Sequence, residues 1–346
     1  MKNLKQIFEL CELKPVAFCI KGSPDPDSIA SSFALLSYYR SLGGDGKIYH
    51  EDYVSHSANK AMVNILDIQL TEKAQPIQEE YYVVCDHADP VVEANCKAKC
   101  LLHIDHHKSD SVAADPPIAQ FVEYDAGACS SIITRLLQEV NFFASGDGNL
   151  SPIATALCYG IKTDTDNFDG AREKDWEAMS VLSQFKNKDS LQKMTKSRIS
   201  AQTSDVLKTA LSHEKTEQNW LYAGVGFLQE TYRDSIALVA DEMLRRQGID
   251  NVLVYGIIER ESGSTVEGSV RSIDAGFEID GFVRQFSDNA GGRKYKGGFQ
   301  IPLGFWASCK NRDLLEDMVA TCIEDKLKLI LGTAITSSKK KQHKGE

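Results

Sequence analysis

At 346 residues the chain is too long for one ordinary domain and comfortable for two. Its 42% hydrophobic and 25% charged content is that of a globular protein, and no apolar run approaches the length of a membrane span. A formal net charge of −10 argues against a protein that coats nucleic acid by broad phosphate neutralisation; a small basic pocket, or an anionic substrate held through metal ions, remains open.

Residues 3–12 read as a short amphipathic helix with Glu9 and Glu12 inside it, not as a signal peptide. Nine cysteines, an odd number with no Cys-x-x-Cys pair, suggest reduced thiols and a cytoplasmic protein, not a disulfide framework or a zinc knuckle. Val16–Ile20 is a continuous apolar run that predicts a buried strand. A loop follows, Lys21-Gly22-Ser23-Pro24-Asp25-Pro26-Asp27, and then helical spacing from Ser28 to Leu42. Further strands are predicted at Lys47–His50, Tyr81–Cys85, Lys99–Ile104 and Gln120–Tyr124, with helices at Ala58–Leu66 and Ala128–Val140. Residues 151–162 read as helical or mixed and run into Thr163-Asp164-Thr165-Asp166. Strands alternating with helices imply an α/β fold: an N-terminal, mostly parallel sheet covered by helices on both faces, over residues 1–187.

Residues 188–216 turn polar and lysine-rich and read as a helical linker. A smaller α+β domain is predicted over 217–335. It has strands at Trp220–Phe227, Val252–Glu259 and Thr265–Ser272, the last two paired, and helices at Ser235–Arg246, Asp280–Ser287 and Leu314–Leu331. A glycine-rich loop is expected from Gly291 to Gly298. Residues 336–346 carry too little apolar content to fold and are expected as a disordered tail.

The chemistry gathers where elements end. Asp25 and Asp27 follow the first strand, Asp86 follows Val83-Val84-Cys85, Asp105-His106-His107 follow Leu101-Leu102, and Asp164 follows the Gly160-Ile161 segment. Any one of these acids also reads as a helix cap or turn residue. Four at the same kind of position point to one crevice at the carboxyl edge of the sheet, where open α/β sheets bind ligands. Converging carboxylates repel one another, and divalent cations remove that conflict. Carboxylates mixed with imidazole suit manganese or a similar ion. Two such ions would activate a water for attack on phosphorus.

These residues resemble the DHH phosphoesterase superfamily over nearly the whole chain. Pro24-Asp25-Pro26-Asp27 with Ser28 is similar to the first motif, Asp86 to the lone acid of the second, Asp105-His106-His107 to the third, and Gly160-Ile161-Lys162-Thr163-Asp164-Thr165 to the fourth. The resemblance implies two Mn2+ ions. Asp25 and Asp86 would hold the first. Asp27, Asp86, His106 and Asp164 would hold the second, with Asp86 bridging. His107 would face the reacting phosphate and Asp105 would support the histidines. Most members carry a histidine four residues before the first motif aspartate, where this chain has Lys21. That lysine either weakens the first metal site, contacts phosphate in place of part of the metal's charge, or points to solvent. His103 and His56 are the substitutes at hand, and spacing selects neither.

The second domain resembles the DHH-associated substrate-binding domain through Ser269-Val270-Arg271-Ser272 and the glycine-rich stretch. Backbone amides around Gly291 and Gly292, with Arg271, Arg293 and Lys296, would hold a phosphate or terminal nucleotide. An ordinary solvated β-turn is the alternative. Two functions follow. One is a manganese-dependent phosphoesterase, hydrolysing a short oligonucleotide, a (cyclic) dinucleotide or polyphosphate by attack of a metal-bound hydroxide. The other is a non-catalytic nucleotide- or polyphosphate-binding protein with a degraded first metal site. A homodimer is compatible with the pattern, and no membrane partner is expected.

Overall fold

Val16–Ile20 forms the strand its apolar run predicts, and all five residues are buried. The computed structural model describes residues 2–52, 54, 57–72, 77–92, 97–108, 115–144, 149–195, 200–261, 263–274, 276–293 and 295–342, with side chains excepted at 57 and 333–342. The chain divides into two compact units, Met1–Arg198 and Ile199–Glu346.

In the first unit, helix α1 (Leu4–Phe8) leads into β1 (Val16–Ile20), α2 (Pro26–Ser41), β2 (Gly46–His50), α3 (Ser57–Ile65), β3 (Leu70–Glu72), β4 (Tyr81–Cys85), β5 (Lys99–Asp105) and β6 (Ala119–Val122). Helices α4 (Cys129–Glu139), α5 (Leu150–Asp164), α6 (Glu173–Leu182) and α7 (Lys188–Thr195) follow. The six strands form one parallel sheet in the order β3-β2-β1-β4-β5-β6. The chain builds outward from β1 through β2 and β3, then returns to the other side of β1 as β4. The carboxyl ends of β1 and β4 therefore flank the switch point where open sheets leave a crevice.

Side chains alternate across β1 as strand geometry requires. Val16, Phe18 and Ile20 enter the large core with residues of α1 to α5, while Ala17 and Cys19 meet Tyr82, Val84, Val92 and Cys100 on the opposite face. Helices on both faces were expected. Among the described residues the apolar cluster on that second face takes its members outside the sheet, Ile77, Val92 and Ala98, from loops. The connections after β4 and β5 contain no helix among those residues, so nothing there delivers an apolar stripe.

The stretch expected as a helical linker forms two helices, α7 and, in the second unit, α8 (Ala201–His213). Met194 of α7 is buried in the first unit's core, and Val206 and Ala210 of α8 are buried in the second unit. The second unit continues with β7 (Lys215–Glu217), β8 (Trp220–Gln229), α9 (Ser235–Met243), β9 (Asn251–Glu259), β10 (Thr265–Ser272), α10 (Ile279–Val283), β11 (Ala290–Gly292), β12 (Lys296–Pro302) and α11 (Arg312–Gln342). Its sheet runs β11-β12-β10-β9-β8-β7 and is mixed: β8 and β9 are parallel, the other pairs antiparallel. Trp220 and Tyr222 face one core with α10 and α11, and Leu221 and Ala223 face another with α8 and α9.

Two expectations change here. The closing helix continues past Leu331 to Gln342, into the stretch expected as a tail, because nothing in Ser337-Ser338-Lys339-Lys340-Lys341 breaks a helix; residues 343–346 lie outside the described residues. The glycine-rich stretch is a hairpin, with Gly291 opposite Gly298 and Gly292 opposite Gly297. A β-carbon on Gly297 would lie 2.4 Å from Ile279 Cγ2, and one on Gly292 2.9 Å from the same atom. These glycines let α10 close onto the hairpin.

Candidate metal centre

Four segments of the first unit bring their acids and histidines to the carboxyl ends of β1, β4 and β5. Asp25 caps α2: its carboxylate accepts the Ser28 amide at 2.9 Å, and the Asp25 amide donates back to Ser28 Oγ at 3.2 Å. Asp27 lies in the first turn of α2 and is wholly buried. Its Oδ2 accepts the Cys129 amide at 2.6 Å and its Oδ1 the Ser130 amide at 2.9 Å. Ala128, the N-cap of α4, has no capping side chain, so Asp27 satisfies amides that the helix leaves open.

Asp86 directly follows β4 with a φ of +58°, a left-handed conformation that aspartate tolerates better than most residues. Its amide donates to Ile104 O at 2.9 Å, which ties it to β5. His106 Nε2 stands 3.3 Å from Asp86 Oδ1 and 3.0 Å from Asp164 Oδ2. Asp164 comes from the last residue of α5, a helix end and not a strand end. Asp86 Oδ1 and His106 Nε2 are both buried, and neither completes a hydrogen bond. His107 Nδ1 is 2.8 Å from Asp105 Oδ1 and 3.8 Å from Asp86 Oδ1.

Ligand-type atoms fall into two groups that share His106. One is Asp86, His106 and His107; the other is Asp27, His106 and Asp164. The members of each lie within 4.8 Å of one another. Among the described residues Asp25 belongs to neither group.

The electrostatics follow from burial and crowding. Burial, then the Asp164 carboxylate, pushes Asp27 up to about 7. Burial with Asp27 and Asp25 raises Asp86 well above the carboxylate range. Burial alone would lower His106, but the Asp164 and Asp86 carboxylates outweigh it and hold the imidazole up at about 11. Asp105 is the exception. Burial opposes its ionisation, yet the His107 hydrogen bond and nearby amides keep its carboxyl below the usual value. The cluster thus holds protons where carboxylates and a neutral imidazole would suit a cation. Orphaned buried ligand atoms and a mixed oxygen–nitrogen donor set fit a divalent metal.

The other sequence candidates are placed as follows. Lys21 is not in this cluster. Its ammonium donates to Asp89 O and Asp89 Oδ2, each at 2.9 Å, and to Val91 O. Three acceptors use its three protons. It therefore neither points to solvent nor keeps a donor for phosphate. His103 is a core histidine: Gln120 Nε2 donates to its Nδ1 at 3.0 Å, and its Nε2 donates to His87 O at 2.8 Å. His56 lies outside the described residues.

In the second unit Arg271 and Lys296 are register partners on β10 and β12, and the Arg293 amide donates to Lys296 O at 2.7 Å. Arg271 is engaged by Asp241, Ser269 Oγ at 2.7 Å and Val270 O at 3.0 Å. The Gly292 amide is taken by Asp280 Oδ1 at 2.9 Å. Gly291 has no heavy atom within 4 Å of a built β-carbon.

Sequence reasoning missed two contributors. Gly160 sits where a β-carbon would lie 2.5 Å from Ser130 Oγ and 2.9 Å from Asp27 Oδ1. Asp175, wholly buried, anchors the loop before α4. Gly160 stood inside a quoted motif, but its role needs two helices in contact. Asp175 is one acid among several in the first turn of a helix, and nothing local distinguishes it.

Residues 16–161 match the DHH family, N-terminal domain. The uncharacterised protein MJ1633 of Methanocaldococcus jannaschii is 28% identical over 327 residues; the match covers 92% of this chain, which spans only 64% of that protein's length. Among solved structures, an exopolyphosphatase-related protein from Bacteroides fragilis superposes with a TM-score of 0.64 at 17% identity, covering 94% of this chain and 97% of that one. RecJ from Thermus thermophilus in complex with Mn2+ gives 0.47 at 13% identity, covering 93% of this chain and 55% of that one. Residues 16–161 thus form an N-terminal domain of the DHH family, and a second compact unit follows it.

Proposed function

We propose that the chain is a metal-dependent phosphoesterase acting on a short phosphodiester or phosphoanhydride substrate: an oligonucleotide, a dinucleotide or a polyphosphate chain. The observation that carries this reading is the buried pair Asp86 Oδ1 and His106 Nε2, facing each other without a hydrogen bond beside Asp27 and Asp164. Asp27, Asp86, His106 and Asp164 would hold the metal, and the donor set suits manganese. A divalent cation bound there supplies Lewis acidity and lowers the pKa of a coordinated water.

The chain's own residues do the rest. Asp105 holds the His107 ring through Nδ1, which fixes its orientation. His107, partly exposed, is left to meet substrate and to donate a proton to a phosphate or leaving-group oxygen. Asp27, pinned by two amides, keeps one face of the site rigid. In the second unit, taken by itself, Arg271, Arg293 and Lys296 are a candidate phosphate-binding group, with Gly291 giving backbone access.

A second reading is a binding protein without turnover. It is favoured by Lys21 being engaged by Asp89 and by Asp25 standing outside both ligand groups. One experiment separates the two. Purified protein loaded with Mn2+ is assayed on a short oligonucleotide, a cyclic dinucleotide, polyphosphate and pyrophosphate, alongside Asp86→Ala and His106→Ala. The phosphoesterase reading expects turnover of at least one substrate. Both variants should lose more than about 100-fold, because even outer-shell changes at metal sites cost 10–100-fold. Full activity in both variants overturns the assigned site. No turnover by a metal-loaded protein that binds one of these substrates favours the second reading.

A further inference from the structure

Asp175 lies outside every motif of the metal centre, yet it is wholly buried, and among the described residues no lysine or arginine forms an ion pair with it. Its carboxylate is held by donors alone. The Arg172 amide donates to Oδ2 at 2.7 Å, as expected for a residue in the first turn of α6. The remaining bonds point elsewhere. The Gly127 amide stands 3.0 Å from both Oδ1 and Oδ2, and Ser131 Oγ donates to Oδ1 at 2.6 Å.

Gly127 and Ser131 bracket Cys129 and Ser130, the two residues whose amides hold the Asp27 carboxylate. Asp175 thus clamps both flanks of the segment that grips a proposed ligand. The same contact reaches the end of α5. A β-carbon on Gly127 would lie 2.4 Å from Asp175 Oδ2 and 2.8 Å from Thr165 Cγ2. Thr165 is buried and directly follows Asp164. A residue that merely capped α6 would need only the Arg172 bond.

We infer that Asp175 is a positioning residue of the metal centre, acting through the amino end of α4 on Asp27 and through Gly127 on the Asp164 end of α5. This rests on the proposed metal site. Because Asp175 touches no ligand atom, its effect passes through bond geometry, as outer-shell partners of metal ligands act elsewhere. Replacing one carboxylate oxygen with an amide NH2 turns a donor toward donors and loosens the segment without emptying the space.

The test measures Mn2+ affinity of the purified protein by isothermal titration calorimetry, and the bound-ion signal by electron paramagnetic resonance, for wild type, Asp175→Asn and Leu182→Ala. Leu182 is buried on the same helix and takes no part in the polar contacts, so its truncation reports lost stability alone. Asp175→Asn is expected to weaken Mn2+ binding by about 10–100-fold and to alter the resonance line shape, while Leu182→Ala retains wild-type affinity. Equal retention in both variants, or equal loss, overturns the inference. Should Asp175→Asn fail to fold, Ser131→Ala removes a single bond: a several-fold weakening supports the inference and unchanged affinity overturns it. Absence of Mn2+ binding by the wild type would instead reject the metal site itself and the inference with it.

Discussion

Gly160 and Asp27 lie close enough that a single methyl group on the glycine would come within 2.9 Å of the aspartate Oδ1 and 2.5 Å of Ser130 Oγ. The fourth sequence motif thus bears on the first through absent volume. Alanine at position 160 would gain about 1 kcal/mol of helix propensity. Overpacking against fixed, buried partners costs about 1–3 kcal/mol. The clash is expected to win, because Asp27 is pinned by two amides and cannot retreat. Gly160→Ala should therefore lower the midpoint of chemical unfolding and also weaken Mn2+ binding. A variant more stable than wild type would show that α2 and α5 separate freely.

The pH dependence of the metal-free protein follows from Asp27, Asp86 and His106. A carboxyl whose folded pKa is raised retains its proton in the folded state while the unfolded chain has lost it. Stability then falls as pH rises from the unfolded value, near 4, through the folded one, about 7 for Asp27. His106, held at about 11 against an unfolded value near 6.5, has the same sign. The metal-free protein should therefore melt at a lower temperature at pH 8 than at pH 5. Mn2+ should reverse the trend, since the metal displaces these protons. Calorimetric scans with chelator and with Mn2+ check both, and proton release on binding can be measured by repeating the titration in two buffers.

Lys21 marks a different boundary. Its ammonium satisfies two carbonyls and the Asp89 carboxylate, so Lys21→Met leaves buried or half-buried acceptors without a donor. A loss of about 1–3 kcal/mol is expected. The number of Mn2+ ions bound per chain should not change, because Lys21 is bonded to residues 89 and 91 and not to the acid cluster. A gained or lost ion would return Lys21 to the metal site.

The hairpin glycines separate packing from recognition. Gly297→Ala drives a methyl into Ile279 and should cost about 1–3 kcal/mol. Gly291→Ala meets open space and should stay within about 0.5 kcal/mol. If Gly291→Ala nonetheless weakens substrate binding while its unfolding curve is unchanged, backbone approach by phosphate at that glycine is supported. Equal substrate affinity in wild type and variant would argue against it.

The sequence by itself determined the first sheet's central strands and the positions of the acids, because both are local. An unbroken apolar run such as Val16–Ile20 can only be a buried strand or helix segment, and its length and β-rich composition choose the strand. Asp86 and the Asp105-His106-His107 triplet stood out for the same reason: each stands where such a run ends. Tertiary structure alone decided which of these residues meet. That Asp25 caps its helix while Asp27 turns inward depends on the amino end of α4, 102 residues away in sequence from the aspartate it binds. That Lys21 is spent on Asp89, 68 residues on, depends on β4 lying beside β1. The glycine-rich stretch looked like a phosphate loop because glycine permits close approach; only the packing of Ile279 shows what approaches in the folded chain. Asp175 was invisible because a buried acid and a surface acid are spelled alike until the neighbouring helix supplies its donors.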